Sequence, residues 1–256
     1  MGEGAACEPG MFCWIDLATS DPAAATAFYT SLFDWQAEAL SAGDGEFTLL
    51  RRGGKEVAVI YRQTADAVAT KVTSHWTSYI SVADAAETSA RARELGAMLS
   101  RETSDVADVG RVATLRDPVG AVVSLWEPRA RQGAGLVKDA DTWCWNELAT
   151  RDVERAKSFY ADLLGWEFQA DPSGYATIVN AGRRNGSIRP QTERERDHPA
   201  GWIPYFTVAS VEAASRTAEQ LGGRALMPPT SVGDELMAVI SDPQDAVFAV
   251  VPADSN

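Results

Sequence analysis

The strongest constraint on this chain is that it repeats itself. Phe12 to Gln36 reads FCWIDLATSDPAAATAFYTSLFDWQ, and Trp143 to Glu167 reads WCWNELATRDVERAKSFYADLLGWE. A shift of 131 residues pairs Cys13 with Cys144, Trp14 with Trp145, Leu17 with Leu148, Thr19 with Thr150 and Asp21 with Asp152. The same shift pairs Phe28 with Phe159, Tyr29 with Tyr160, Trp35 with Trp166, and the carboxylate of Asp16 with that of Glu147. Trp76 to Val82 returns as Trp202 to Val208, and Asp117-Pro118-Val119-Gly120 returns as Asp242-Pro243-Gln244-Asp245. A unit this long is no solenoid repeat; it is one domain present twice. The expected boundaries are residues 11–130 and 142–253, joined by a glycine-containing linker over 131–141.

Each copy reads as strand, helix and three strands, twice over. Alternating residues make Phe12 to Ala18 a strand. Asp21 then caps a helix whose first position is Pro22, where a missing N–H costs nothing. A meander follows, with turns expected at Gly43–Gly45 and Gly53–Gly54. The strand at Trp76 to Val82 leads to a helix over Ala85 to Leu95 that ends at Gly96, then to strands near Met98, from Arg111 to Arg116 and from Ala121 to Trp126. The second copy predicts a strand over Trp143 to Ala149, a helix over Val153 to Leu164, and strands near Trp166, Tyr175 and Ser187. Gly182 to Gly186 reads as a basic turn and Arg189 to Gly201 as a charged loop. The fold class is α+β: two tandem domains, each of paired βαβββ modules.

The charge balance narrows the partners. A formal net charge of −13 offers no attraction to nucleic acid or to an anionic membrane. No apolar run approaches the roughly 18 residues that suggest a membrane span. The first residues lack the basic and apolar regions of a secretory signal. Three cysteines do not make a disulfide framework. The expectation is a cytoplasmic protein, a monomer with an internal pseudo-dimer or a homodimer, whose partner is a small molecule.

The motifs Asp21-Pro22…Phe28-Tyr29…Leu32-Phe33-Asp34-Trp35 and Asp152…Phe159-Tyr160…Leu163-Leu164-Gly165-Trp166, with the later Asp-Pro turns, resemble the vicinal oxygen chelate superfamily. That superfamily includes glyoxalase I, extradiol dioxygenases and the bleomycin-resistance proteins. The paired Cys-Trp-x-Asp/Glu-Leu-x-Thr openings look like the two-domain glyoxalase-like "hydroxylase" type of actinobacteria. The resemblance implies mixed sheets folded into cups with helices outside, the two halves packed together. Metal-using members carry ligands on the first, fifth and eighth strands of each cup. Those positions fall on Trp14, Thr77 and Ser124 in the first half and on Trp145, Ile203 and Ala249 in the second. None is a good ligand for a divalent ion, which needs converging oxygen or nitrogen donors. A slip of two residues would put Asp16 and Glu147 at the first position, still without partners. His75 and His198 have no repeat relation. No cofactor is therefore expected, and a divalent metal would have to bind without the usual ligands.

Strand alternation gives Phe12, Trp14 and Asp16 one face, and Trp143, Trp145 and Glu147 the matching one. Cys13, Ile15 and Leu17 then face the helices, as does Asn146, a misfit there. Thr77, Tyr79, Ser124 and Trp126 join the first cup by the same parity, and Ile203 and Tyr205 the second. An aromatic wall holding a carboxylate and a tyrosine hydroxyl suits a flat or aromatic ligand, such as a natural product. The bland alternative is that these aromatics simply fill the cups. Asp16 and Glu147 are the candidate catalytic groups, because burial against indole would raise a carboxyl pKa toward neutrality. Two functions follow: a metal-free binding protein, or a superfamily enzyme (lyase, isomerase, epimerase or oxygenase) working through those carboxylates or an atypical metal site. No nucleotide-binding loop, nucleophile elbow or Cys-x-x-Cys pair competes.

Overall fold

Each half builds one eight-stranded mixed sheet from two strand–helix–three-strand units laid side by side. In the first half these are β1 (Phe12–Thr19), α1 (Pro22–Leu32), β2 (Gln36–Ala42), β3 (Gly45–Arg52) and β4 (Lys55–Arg62). A short helix, α2 (Ala65–Ala69), precedes the second unit: β5 (His75–Ser81), α3 (Ala85–Glu94), β6 (Met98–Val106), β7 (Gly110–Arg116) and β8 (Val122–Pro128). The strand order is β2-β3-β4-β1-β5-β8-β7-β6, so the two units meet where β1 runs antiparallel to β5. The second half repeats this with β9 (Trp143–Thr150), α4 (Val153–Leu164), β10 (Glu167–Ala170), β11 (Ala176–Asn180) and β12 (Arg183–Pro190). Its second unit is β13 (Gly201–Val208), α5 (Val211–Gln220), β14 (Arg224–Val232), β15 (Glu235–Ser241) and β16 (Val247–Pro252), in the equivalent order. This computed structural model describes residues 7–42, 45–70, 72–195, 198–233 and 235–253. The turn expected at Gly43–Gly45 lies outside the described residues. Among those residues no helix is long and apolar enough to cross a membrane.

The helix signals act as the sequence predicts. Asp21 accepts from Ala24 N, Asp152 from Arg155 N, and Gly165 closes α4 in the left-handed conformation that glycine adopts without penalty. Three expectations need correction. Helix α2 forms where the sequence predicts no element. Arg183 to Gly186, expected in a turn, and Arg189, expected in a loop, lie within β12.

One apolar core runs through both halves, and its polar fittings are reciprocal. Tyr29 Oη donates to Asp242 Oδ2 at 3.1 Å, and Tyr160 Oη donates to Asp117 Oδ2 at 2.8 Å. Each tyrosine accepts an indole N–H in return, from Trp76 (2.9 Å) and Trp202 (3.0 Å). The other oxygen of each aspartate holds its own Asp-Pro turn: Asp117 Oδ1 accepts from Val119 N and Ala121 N, and Asp242 Oδ1 from Gln244 N and Ala246 N. Trp35 Nε1 donates to Asp141 O, just before β9, and Trp166 Nε1 donates to Gly10 O, just before β1. The repeated residues are thus largely the ones each half presents to the other. Asn146 also finds its reason here, because Ser78 Oγ donates to its Oδ1 at 2.6 Å across the interface.

The interface also corrects the expected parity of β1. The pairing with β5 slips between Phe12 and Trp14, a bulge that sets two residues of one strand against one of the other. Cys13 and Trp14 therefore share the cup face, and Phe12 turns the other way. Its ring packs at 4.9 Å from Trp202 and 5.5 Å from Trp166 in the shared core. The same slip between Tyr205 and Phe206 puts Trp143 into that core. Neither Phe12 nor Trp143 lines a cup.

Removing one tyrosine hydroxyl leaves two buried partners unsatisfied, an aspartate oxygen and an indole N–H. Tyr29→Phe and Tyr160→Phe should each cost about 1–3 kcal/mol in denaturant unfolding. A loss indistinguishable from zero in either variant would show that the pairs do not hold the halves together.

Candidate functional site

The first cup is built on neighbouring strands whose pairing fixes which side chains meet. Trp14 lies opposite Tyr79 and Asp16 opposite Thr77 across β1 and β5; Tyr79 lies opposite Ser124 on β8. Trp14, Trp126 and Tyr79 form one apolar cluster with Leu49 and Val112, and the Tyr79 and Trp126 rings meet edge to face at 6.3 Å. The linker covers part of this wall: Trp126 Nε1 donates to Arg131 O, and the Arg131 guanidinium stacks 5.1 Å from the Trp14 ring. Ser124 is tied to Thr114 at 2.9 Å.

Asp16 sits in this wall, 5% exposed. Tyr79 Oη donates a short hydrogen bond to its Oδ2, while Oδ1 has no hydrogen-bond partner. Among the described residues no lysine, arginine or histidine forms an ion pair with it. Burial therefore pushes its pKa up to about 7, against the opposing pull of Tyr79, Thr77, the Arg101 charge and Tyr61. Burial likewise raises Tyr79 well above the ordinary tyrosine value, with the Asp16 charge adding to it; for Tyr61 that charge is the larger cause. Both tyrosines stay neutral donors. Tyr61 and Arg101 are additions to the sequence-derived set. Alternation with Val59 along β4 could have found Tyr61, but Arg101 sits on a strand that the sequence locates only roughly.

The second cup has the same plan and a different balance. Tyr205 Oη donates to Glu147 Oε1 at 2.8 Å, as Tyr79 does to Asp16, and Ser187 Oγ donates to Glu147 Oε2 at 3.1 Å. Arg189 then adds what the first cup lacks, a guanidinium whose Nε lies 2.6 Å from Glu147 Oε1. Its other nitrogens hold both carboxylate oxygens of Glu195 at 2.7 Å, a bidentate geometry that fixes direction as well as charge. Burial works against the Arg189 charge, yet the two carboxylates outweigh it and hold its pKa above the ordinary value. Burial would also raise Glu195, but Arg189 and Thr192 bring it down to about 2. Trp145 Nε1 donates to Ser187 Oγ, and its ring lies under the Arg184 guanidinium at 5.2 Å. Ile203, paired with Glu147 across β13 and β9, is half-buried. Every oxygen of Glu147 is thus engaged by protein groups.

Residues 12–125 and 145–250 match the sequence model of the Glyoxalase/Bleomycin resistance protein/Dioxygenase superfamily, and the chain belongs to that superfamily. Among its relatives is CFP32 of Mycobacterium tuberculosis, which carries a provisional glyoxylase name; the two are 32% identical over 248 residues, 93% of each chain. The anthracycline biosynthesis protein DauV of a Streptomyces species is 29% identical over 95% of this chain and 93% of its own. The fold is that of the Mn(II)-bound glyoxalase from Novosphingobium aromaticivorans, with a TM-score of 0.65 at 12% identity over all of this chain and 84% of that one. The 2,3-dioxygenase LapB from Pseudomonas sp. KL28 matches equally, at a TM-score of 0.65 and 12% identity over 97% and 93% of the two chains.

The superfamily's metal is a poor fit to these side chains. Among the described residues no three His, Cys, Asp or Glu side chains gather where they could hold an ion. The first cup offers one carboxylate ringed by neutral hydroxyls and indoles. The second presents a carboxylate already paired with Arg189, so a cation there would have to displace a guanidinium.

The Asp16 environment has a pH signature. Its folded pKa of about 7 lies above the unfolded value near 3.9. Between those values the folded protein keeps a proton that the unfolded chain has released, so stability falls as pH rises through the window and the penalty is complete above pH 7. Asp16→Asn should relieve it, raising stability at pH 8 by a few kcal/mol, because each pH unit separating the two pKa values contributes about 1.4 kcal/mol, and doing little at pH 4. Thermal unfolding across that range checks this; a variant equally stabilised at both pH values contradicts it.

Proposed function

We propose that the first cup binds a flat or aromatic small molecule by stacking and by one hydrogen bond to Asp16, without the superfamily's metal. The observation that carries this reading is the contrast between two copies of one carboxylate. Glu147 is saturated by Arg189, Ser187 and Tyr205; Asp16 keeps a buried oxygen with no partner. A buried acceptor left open costs free energy unless something fills it, and a ligand N–H or O–H lying against Trp14, Tyr79 and Trp126 would do so. The second cup becomes a structural copy, its carboxylate retained and tied to Arg189. Relatives named for anthracycline biosynthesis favour a polycyclic natural product as the ligand. The protein works in the cytoplasm as a monomer or homodimer, with no nucleic acid or membrane partner.

A second reading has its own support. A carboxyl that titrates near neutrality is poised for proton transfer, and Tyr79 is a neutral donor beside it. In that reading Asp16 removes a proton from the bound molecule, and Tyr79 holds the hydrogen bond to Oδ2 that keeps the carboxylate oriented. The enzyme is then a metal-independent isomerase or lyase of the superfamily.

Titration with polycyclic aromatic compounds should quench tryptophan fluorescence saturably and insensitively to EDTA. Trp14→Ala and Asp16→Asn should weaken binding about tenfold or more, the loss expected for a stacking face or a charge-assisted hydrogen bond. Chromatography of the recovered compound separates the readings, since unchanged ligand means binding and an isomer or fragment means catalysis. Unsaturable quenching, or quenching abolished by EDTA, contradicts the proposal.

A further inference from the structure

A groove of about 300 Å³ opens where the Asp117 turn meets the start of α4, and three arginines line it: Arg116, Arg151 and Arg155. The surroundings make this unusual. The chain carries 36 acidic residues against 23 basic ones, and many arginines elsewhere are held by carboxylates, among them Arg51 by Glu38, Arg52 by Asp34, Arg111 by Glu127, Arg129 by Asp105 and Arg189 by Glu147. Among the described residues no carboxylate lies in ion-pair range of Arg116 or Arg155, and Arg116 donates instead to the neutral carbonyl of Gly120. Asp152, the acid in the groove, has its Oδ1 taken by Arg155 N as the helix cap.

The duplication supplies an internal control. The same junction occurs a second time, where the Asp242 turn meets the start of α1. The parts that build it are kept in both places. Asp21 caps α1 as Asp152 caps α4, and Gln63 N and Gln191 N both donate to the threonine that ends the first strand. The three arginines are not kept: their counterparts are Ser241, Ser20 and Ala24, and the counterpart of Gly120 is Asp245. The fold therefore does not require positive charge there. Like charges brought to one concavity repel each other and are favoured where an anion neutralises them. Guanidinium groups supply the forked donors that match planar carboxylate or tetrahedral phosphate oxygens; Gln191 at the groove wall gives its amide N–H groups to His198 O and Pro199 O, so the arginines are the donors.

We propose that this groove between the halves is an anion-binding site for the phosphate or carboxylate group of a small ligand, separate from the cups. Isothermal titration of the full chain with inorganic phosphate and, separately, with malonate, at ionic strength held constant with sodium chloride, tests it. One saturable site for either anion is expected, and the stronger of the two identifies the group. The variant carrying Arg116→Ser, Arg151→Ser and Arg155→Ala, which copies the other junction, should bind that anion at least roughly tenfold more weakly, with tryptophan quenching by cup ligands unchanged. Arg155→Ala alone, an exposed helix position, should show a smaller loss in the same direction and covers the case in which the triple variant does not fold. No saturable binding to wild type, or undiminished binding by the variants, would overturn the proposal.

Discussion

Two buried tyrosine–aspartate hydrogen bonds fix how the halves of this protein meet. Tyr29 and Tyr160 each reach out of one half to the Asp-Pro turn of the other, and each carries an indole N–H on the same oxygen. Burial raises both aspartate pKa values, and the tyrosine and turn hydrogen bonds pull the other way. Breaking such a pair strands a desolvated carboxylate, which is far worse than never having buried it. The consequence is positional. With the halves locked through these residues, each sheet turns one face to the shared core and leaves the other for a cup.

That arrangement frees the two cups to diverge. Each has one carboxylate on its first strand and one tyrosine on the neighbouring strand aimed at it, so both began from a common design. The second carries Arg189 where the first has Tyr61 and, through it, engages Glu195. The first has neutral hydroxyls around Asp16, with the charge of Arg101 acting on it from further off. The same carboxylate is a closed ion pair in one place and an open acceptor in the other. The arginine groove follows the same logic: the duplicated scaffold is preserved, and the arginines stand on one side only.

Much of the fold was legible because it was written twice. Asp21, Pro22 and Gly165 marked helix ends by local rules, and the matched Asp-Pro turns fixed the register of the modules. The cup walls were legible where alternation held, as at Trp14, Asp16, Thr77 and Tyr79. It failed for Phe12 and Trp143, because a one-residue bulge reverses the face of everything beyond it and no glycine or proline marks that bulge. Arg189 was missed for a different reason. Its neighbours are charged and polar, so the segment looked like a loop, although the guanidinium is held inside the cup by partners that include the distant Glu147. Alternation alone gives no reason for Asn146 on a helix-facing position; its partner, Ser78, comes from the other half.

What separates the two cups is that Asp16 is an unneutralised carboxyl in a buried aromatic wall. Its ionisation can be followed directly, from the side-chain carboxyl carbon shift of aspartate-labelled protein during a pH titration, with Asp16→Asn assigning the resonance. The expected midpoint lies near 7. A midpoint in the ordinary carboxylate range, near 4, would mean that Asp16 is solvated or paired, and would contradict the distinction between the two cups.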